Sequence, residues 1–361
     1  MVDRVTMSSR YDQLITDMQI NQANFNKLTA QLSSGNKIMS ITDDPIASVN
    51  ILNTNKQLGQ IATFEQNVGV ASAELSALDD LLSLASGYLS TAWDKALQAN
   101  NQTYNSGSLE ALKVEIDEIT KTMVDLANTE YKDNYIFSGA NTKTLTYTMS
   151  DSGDIIYNGT EYTNPDYVRQ TEVADGVFEI INTTGDKVFG YYKHNEDVNG
   201  NKLYRDENNN VVTQIITAGV TSYVDTNGNP YTGDINNLTK DEDYSGVMGA
   251  LRKLSNAIQT VLDGETEKGY KEMNATLDMF SNSLNTITTE QTKFGGVANR
   301  LDMTASTLET NTENLTSYLS QVQEVDYTTA ITQWMQAQYA YQASMQVASS
   351  AMNMSLLNYI Q

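Results

Sequence analysis

The chain has 361 residues, a net charge of −23, no cysteine and one histidine. Disulfides, thiolate metal sites and a cysteine nucleophile are thereby excluded. Such acidity repels phosphate backbones and anionic lipids, so no nucleic-acid partner is expected, and no run of about 18 apolar residues is present to enter a membrane.

The opening residues, Met1 to Arg10, lack the apolar core of a cleavable signal peptide, and composition alone favours the cytoplasm. The first predicted helix runs from Val5 to Ser34. Its apolar residues, Met7, Tyr11, Leu14, Met18, Phe25, Leu28 and Leu32, step by three and four, with Asn21 in the one gap. A seven-residue repeat of this kind makes a narrow coiled-coil seam. Gly35 stops the helix, because the left-handed conformation costs glycine little. Asp43, Asp44 and Pro45 start the next one. The Asp44 carboxylate can cap free N–H groups, and proline suits the first turn.

The same rhythm runs through Ile61, Phe64, Val68, Ala71, Leu75, Leu78, Leu82, Ala85, Leu89, Ala92 and Ala96. It resumes after a polar break at 100–107 with Leu109, Leu112, Ile116, Ile119, Met123 and Leu126, and Gly139 is expected to end that helix. From 144 to 243 the texture is Thr, Tyr, Gly, Asn and Asp with β-branched pairs, which reads as a mostly β domain. Asn158-Gly159 and Asn227-Gly228 read as hairpin turns. Two stretches, Asp197 to Asn201 and Asp225 to Asn229, alternate oxygen-bearing residues as a calcium loop does. Position six is Lys202 or Pro230 where Gly is needed, and position twelve is Asn208 or Asn236 where Glu is needed, so plain turns explain them better. His194 reads as an exposed loop residue with no partners for a triad or a zinc site. No phosphate-cradling glycine loop is found. The sequence therefore points to no catalytic group, no metal and no cofactor.

Helical rhythm returns at Val247, Leu251, Leu254, Ile258 and Val261. The longest seam follows: Met273, Leu277, Phe280, Leu284, Ile287, Gln291, Phe294, Ala298, Leu301, Ala305, Leu308, Thr312, Leu315, Leu319 and Val322. Gly295-Gly296 inside it marks a place for a kink or a close helix contact. The last segment, 327–361, carries no charged side chain. Its seam is Ile331, Trp334, Gln338, Tyr341, Met345, Ala348, Met352, Ser355 and Tyr359, with Leu356 beside it. Surface helices normally carry charge, so both faces of this one are expected to be covered. The expected fold is mainly α: a heptad-patterned helical bundle built from both chain ends, with an inserted β domain. Its parts are a terminal coiled coil (1–40 with 325–361), a helical rod (41–143 with 244–324) and the β insertion (144–243).

Three segments together resemble the flagellin superfamily. They are Leu32-Ser-Ser-Gly35 with Ile38 and Asp43-Asp44-Pro45; Gly295-Gly-Val-Ala-Asn299-Arg300-Leu301; and Val325-Asp326-Tyr-Thr-Thr-Ala330 running on to Ser355-Leu-Leu-Asn358. The family positions include Ser34. Tyr135-Ile-Phe-Ser-Gly-Ala-Asn-Thr142, Tyr157-Asn-Gly159, Val188-Phe189 and the tail from Gln342 resemble the hook–filament junction group within it. Filament flagellins usually carry a Ser-Arg-Ile-Arg-Asp-like run where this chain has Gln323-Glu-Val-Asp-Tyr327. The resemblance implies export through the flagellar channel without a cleaved signal, and a place outside the cell at the junction. It implies terminal regions disordered in the monomer that order on assembly. The implied partners are copies of the chain itself, an adjacent hook-associated protein, flagellin and an export chaperone. A filament subunit remains an alternative. So does a secreted protein that binds a glycan or a surface through its central domain.

Overall fold

The apolar rhythm becomes helix at both chain ends. The computed structural model describes residues 7–360 except 102, 103 and 218; the side chains of 7, 8, 10, 11, 165, 236 and 351–360 lie outside the description. Seven helices are described: α1 (Met7–Ser34), α2 (Pro45–Ala99), α3 (Ser106–Ala127), the short α4 (Gly185–Val188), α5 (Gly246–Leu262), α6 (Thr266–Gln323) and α7 (Tyr327–Ile360). The strands are β1 (Glu130–Tyr131), β2 (Asn134–Tyr135), β3 (Tyr147–Met149), β4 (Ile155–Tyr157), β5 (Gln170–Ala174), β6 (Val177–Ile180), β7 (Tyr191–His194), β8 (Leu203–Arg205), β9 (Val211–Thr217), β10 (Val220–Asp225), β11 (Thr239–Lys240) and β12 (Glu242–Ser245). The fold is mainly α with an inserted β region, as the sequence leads one to expect. It divides into two compact units, Met1–Thr63 with Ser306–Gln361, and Phe64–Ala305.

In the second unit the expected α2 stripe is buried from Val68 to Ala96. Met273, Phe280, Ile287, Phe294 and Leu301 of α6 are buried as well, at strict seven-residue spacing. The companion row differs from expectation. Thr276, Ser283, Glu290 and Val297 are buried, one residue before the anticipated Leu277, Leu284, Gln291 and Ala298, which are half-buried. The shift is possible because the polar members are satisfied. The hydroxyls of Thr276 and Ser283 each donate to a carbonyl of their own helix at 2.7 Å, and Glu290 meets Lys187 Nζ at 2.6 Å. Gly295-Gly296 lies inside α6 with nothing within 4 Å of where either Cβ would stand, so no close helix contact forms there. The α3 helix ends at Ala127, not at Gly139. Asn128 caps it and turns its side chain to bracket the Tyr147 backbone, at 2.7 Å to the N–H and 3.0 Å to the carbonyl.

One antiparallel sheet has the order β12-β7-β4-β3 and another β10-β9-β8-β11, with β1-β2 and β5-β6 as separate hairpins. Phe137 and Phe189 meet edge to face at 4.8 Å beneath the first sheet, and the buried Tyr147 hydroxyl donates to the Gly190 carbonyl at 2.7 Å. Gly190 takes φ +69°, and a Cβ there would stand 2.1 Å from the Ser245 carbonyl oxygen, so only glycine fits. Asn158-Gly159 does not close a hairpin. It follows β4, while Ser150–Asp154 makes the β3-β4 turn, because Asn158 N–H carries the pairing on to the Thr146 carbonyl. Asn227-Gly228 does lie at a hairpin tip, bridged by Val224 and Pro230. Asp197 and Asp225 accept the backbone N–H groups of Asn199, Asn201, Asn227 and Asn229 at 2.8–2.9 Å, which makes both stretches plain turns. Asp206 builds a third turn of the same kind with Asn208 and Asn210. His194 is not an exposed loop residue. It is buried at the end of β7, its ring edge against Tyr204 and Nε2 2.6 Å from the Leu203 carbonyl, and burial lowers its pKa.

Side chains tie the β5-β6 hairpin to the helices of its unit. Arg169 pairs with Glu74 of α2, and Arg300 of α6 pairs with Glu179 of β6. Asn67 donates to the Glu172 carbonyl at 2.8 Å. Farther along, Glu290 accepts from Thr183 at 3.1 Å beside its Lys187 pair. Burial opposes the charge on Lys187, but the Glu290 carboxylate outweighs it and the pKa is raised.

Candidate assembly surface

The first unit is organised by a turn and two helices. Gly35 takes φ +74° after Ser34, whose hydroxyl accepts the Asn36 N–H at 3.2 Å. The chain beyond it pairs with the segment that leads into α7. Lys37 N–H donates to the Gln323 carbonyl and Val325 N–H to the Gly35 carbonyl, both at 2.8 Å. The Asp43 carboxylate meets Lys27 at 2.8 Å and accepts the N–H groups of Met39 and Ser40, and Lys27 first, then these donors, hold its pKa down. Asp44 accepts the N–H groups of Ile46 and Ala47 at 3.0 Å, with Pro45 as the first helical residue. Asp326 caps α7, taking the Thr329 hydroxyl at 2.7 Å and the Thr328 N–H at 3.0 Å, and its pKa is lowered by the same bonds. Six of the family-motif residues, Ser34, Gly35, Asp43, Asp44, Pro45 and Asp326, thus set the ends of α1, α2 and α7. Arg300 instead anchors β6, and Asn299 lies exposed on α6.

The α1 seam faces α7. Phe25 stacks on Tyr341 at 6.0 Å and lies 5.7 Å from Trp334, whose indole N–H donates to the Thr29 hydroxyl at 2.8 Å. Leu14, Met18, Asn21, Phe25, Leu28 and Leu32 are each only half-buried. On α7 the covered stripe is Ala330, Trp334, Ala337, Gln338, Tyr341, Ser344 and Ala348. Ile331 and Met345, placed in the seam from sequence, are exposed at 47% and 46%. The small residues at the covered positions let the two helices approach, which rotates the larger ones outward. The side chains of Met7, Tyr11, Met352, Leu356 and Tyr359 lie outside the described residues.

Two exposed apolar rows were not picked out as rows in the sequence, although both faces of α7 were expected to be covered. One is the outer side of α7, where Tyr327, Ile331, Met335 and Tyr339 stand four residues apart and exposed. Their i, i+4 spacing was the available signal. The other is the start of α2, where Ile46, Val49 and Leu52 stand three residues apart and exposed, next to exposed Met39 and Ile41. No group of three or more potential metal-ligating residues occurs among the described residues, and none of the described helices is long and apolar enough to cross a membrane.

The family described as the bacterial flagellin N-terminal helical region matches residues 7–142, and the bacterial flagellin C-terminal helical region matches residues 277–360. The flagellar hook-associated protein 3 of Escherichia coli is 22% identical over 354 residues, 98% of each chain. That of Salmonella typhimurium is 24% identical over 269 residues, 74% of this chain and 79% of the relative. A flagellin of Clostridium tyrobutyricum is 21% identical over 346 residues, 89% of this chain and 91% of the relative. The fold is shared with a putative flagellar hook-associated protein of Vibrio parahaemolyticus, at TM-score 0.57 and 18% identity, covering 78% of this chain and 100% of that one. It is shared with flagellar hook associated protein-3 of Legionella pneumophila too, at TM-score 0.56 and 18% identity over 75% and 98% of the two chains.

Proposed function

This chain belongs to the flagellin superfamily, and from that membership we propose that it is the structural subunit joining hook to filament outside the cell. Its work is mechanical, adapting one lattice to another, and needs no catalytic group. One observation carries the reading: the terminal helix pair leaves every described seam residue of α1, from Leu14 to Leu32, short of full burial, and α7 carries no charge at all. Such a pair is an interface waiting for neighbours. Those neighbours are further copies, an adjacent hook-associated protein, flagellin and, before export, a chaperone. The division into terminal coiled coil (1–40, 325–361), rod (41–143, 244–324) and β insertion (144–243) assigns assembly to the first part and stiffness to the second.

In this account Leu14, Met18, Phe25, Leu28, Leu32, Trp334 and Tyr341 form the pair, while Ile331 and Met345 meet neighbours. Head-to-tail contacts of this kind propagate instead of closing as a dimer. Burial at about 25 cal/mol per Å² then offsets an ordering cost of roughly 1–2 kcal/mol per residue. Deleting residues 327–361 is expected to abolish incorporation into flagella and to leave the unfolding of the second unit unchanged; retained incorporation would refute the proposal. The similarity to a flagellin keeps a second reading in view, a filament subunit. Immuno-gold microscopy separates the two: label in one band at the filament base supports the junction, and label along the filament supports the alternative.

A further inference from the structure

We propose that the outer ridge of α7 (Tyr327, Ile331, Met335 and Tyr339) docks against the apolar start of α2 (Ile46, Val49 and Leu52) on a second copy of this chain. The inference rests on the reading as an assembling subunit and names the faces that meet. The two surfaces are the apolar faces that the first unit leaves uncovered most fully: Ile46, Leu52 and Tyr339 are 78%, 69% and 64% exposed. Exposed apolar surface on this scale marks an interaction site.

Charge identifies the occupant. Each copy carries −23, so bringing two together sets like charges against each other wherever charged faces meet. The α7 helix has no charged residue, and Pro45 to Phe64 holds only Lys56. Placed face to face, these two stretches set almost no like charges against each other. A basic partner would be better served by the acidic surfaces elsewhere. Shape agrees with charge. Tyr327, Ile331, Met335 and Tyr339 form a ridge with four-residue steps, and Ile46, Val49 and Leu52 form a row with three-residue steps. A four-step ridge fits the groove beside a three-step row at a crossing of about 20°. Because the two faces differ, a pair of docked copies still offers one free face of each kind, one at either end, and the contact continues from copy to copy.

The absence of cysteine makes the test clean. Leu52→Cys and Met335→Cys chains are produced together in the source bacterium in place of its own copy, and the isolated flagella are mildly oxidised. The expected product is a disulfide dimer holding one chain of each kind, with no dimer when either variant is present alone. The double variant is expected to give a ladder of trimers and larger species. Assembled chains that yield no mixed dimer overturn the inference, and so does a dimer from Leu52→Cys alone or Met335→Cys alone. Absence of the unaltered chain from flagella overturns the functional reading together with it. Should the cysteine variants incorporate poorly, Ile331→Ser with Met335→Ser provides the second arm. Incorporation at least tenfold lower, with unchanged thermal unfolding, supports the contact, and normal incorporation overturns it.

Discussion

In α2 the nine seam residues from Val68 to Ala96 are all buried, whereas in α1 none of the seam residues from Leu14 to Leu32 is fully buried. The sequence rhythm is the same in both. What differs is the company. In the second unit α3, α5, α6 and the β region supply neighbours, and large side chains such as Leu78, Leu82, Met273 and Phe280 are fully enclosed. The α1 and α7 helices have each other, and Ala330 is the one fully buried hydrophobic residue among their described side chains. A heptad pattern therefore states that a helix will be covered, and the number of neighbours decides whether one chain suffices to cover it.

The comparison can be broken most sharply by truncating an aromatic in each region. Phe280→Ala is expected to destabilise the second unit by about 3–5 kcal/mol, read from the urea midpoint. Phe25→Ala removes the ring contacts with Trp334 and Tyr341, yet should shift the main unfolding transition by less than about 1 kcal/mol while strongly reducing incorporation into flagella. Equal shifts would show that both pairs are complete in the lone chain. Next in size is Glu290→Gln, which strips the counter-charge from Lys187 and is expected to cost about 3 kcal/mol by the same assay. Restoration by Lys187→Met in the double variant would attribute the loss to the unpaired lysine.

Acid provides a smaller effect in the β region. Burial opposes ionisation of Asp154, but hydrogen bonds from Lys202, the His194 N–H and Ser152 outweigh it and hold the carboxyl at about 2, below its ordinary 3.8. A folded value below the unfolded one means that the stabilisation is complete above 3.8 and is lost as pH falls toward 2. The loss should be about 2 kcal/mol, visible as a slope in unfolding free energy over that window and absent in Asp154→Asn. His194 acts in the same direction at higher pH: its lowered pKa favours the neutral ring, so stability falls as pH drops through the ordinary histidine range. The smallest expected change is Ile331→Ser, which should leave monomer unfolding within about 0.5 kcal/mol, because its side chain is exposed in the single chain.

The seam of α1, the buried stripe of α2 and the capped turn from Gly35 to Pro45 were legible in the sequence because large apolar residues and turn residues each declare themselves locally. The second row of α6 was not, since its members include Thr276, Ser283 and Glu290. Their burial depends on partners such as Lys187 that are distant in sequence. The rotation of α7 was hidden for a related reason. Alanine and serine mark a close approach only once the facing helix is known, and the eye follows Ile331 and Met345 instead. His194 was misread because the carbonyl that receives it belongs to Leu203, across a turn.

Hydrogen exchange on the purified single chain and on the same chain in isolated flagella tests the central claim most directly. The account predicts that amides of α1 and α7 exchange rapidly in the free chain and become protected on assembly, while those from Val68 to Ala96 are protected in both. Protection of α1 and α7 in the free chain equal to that of the α2 stripe would contradict it.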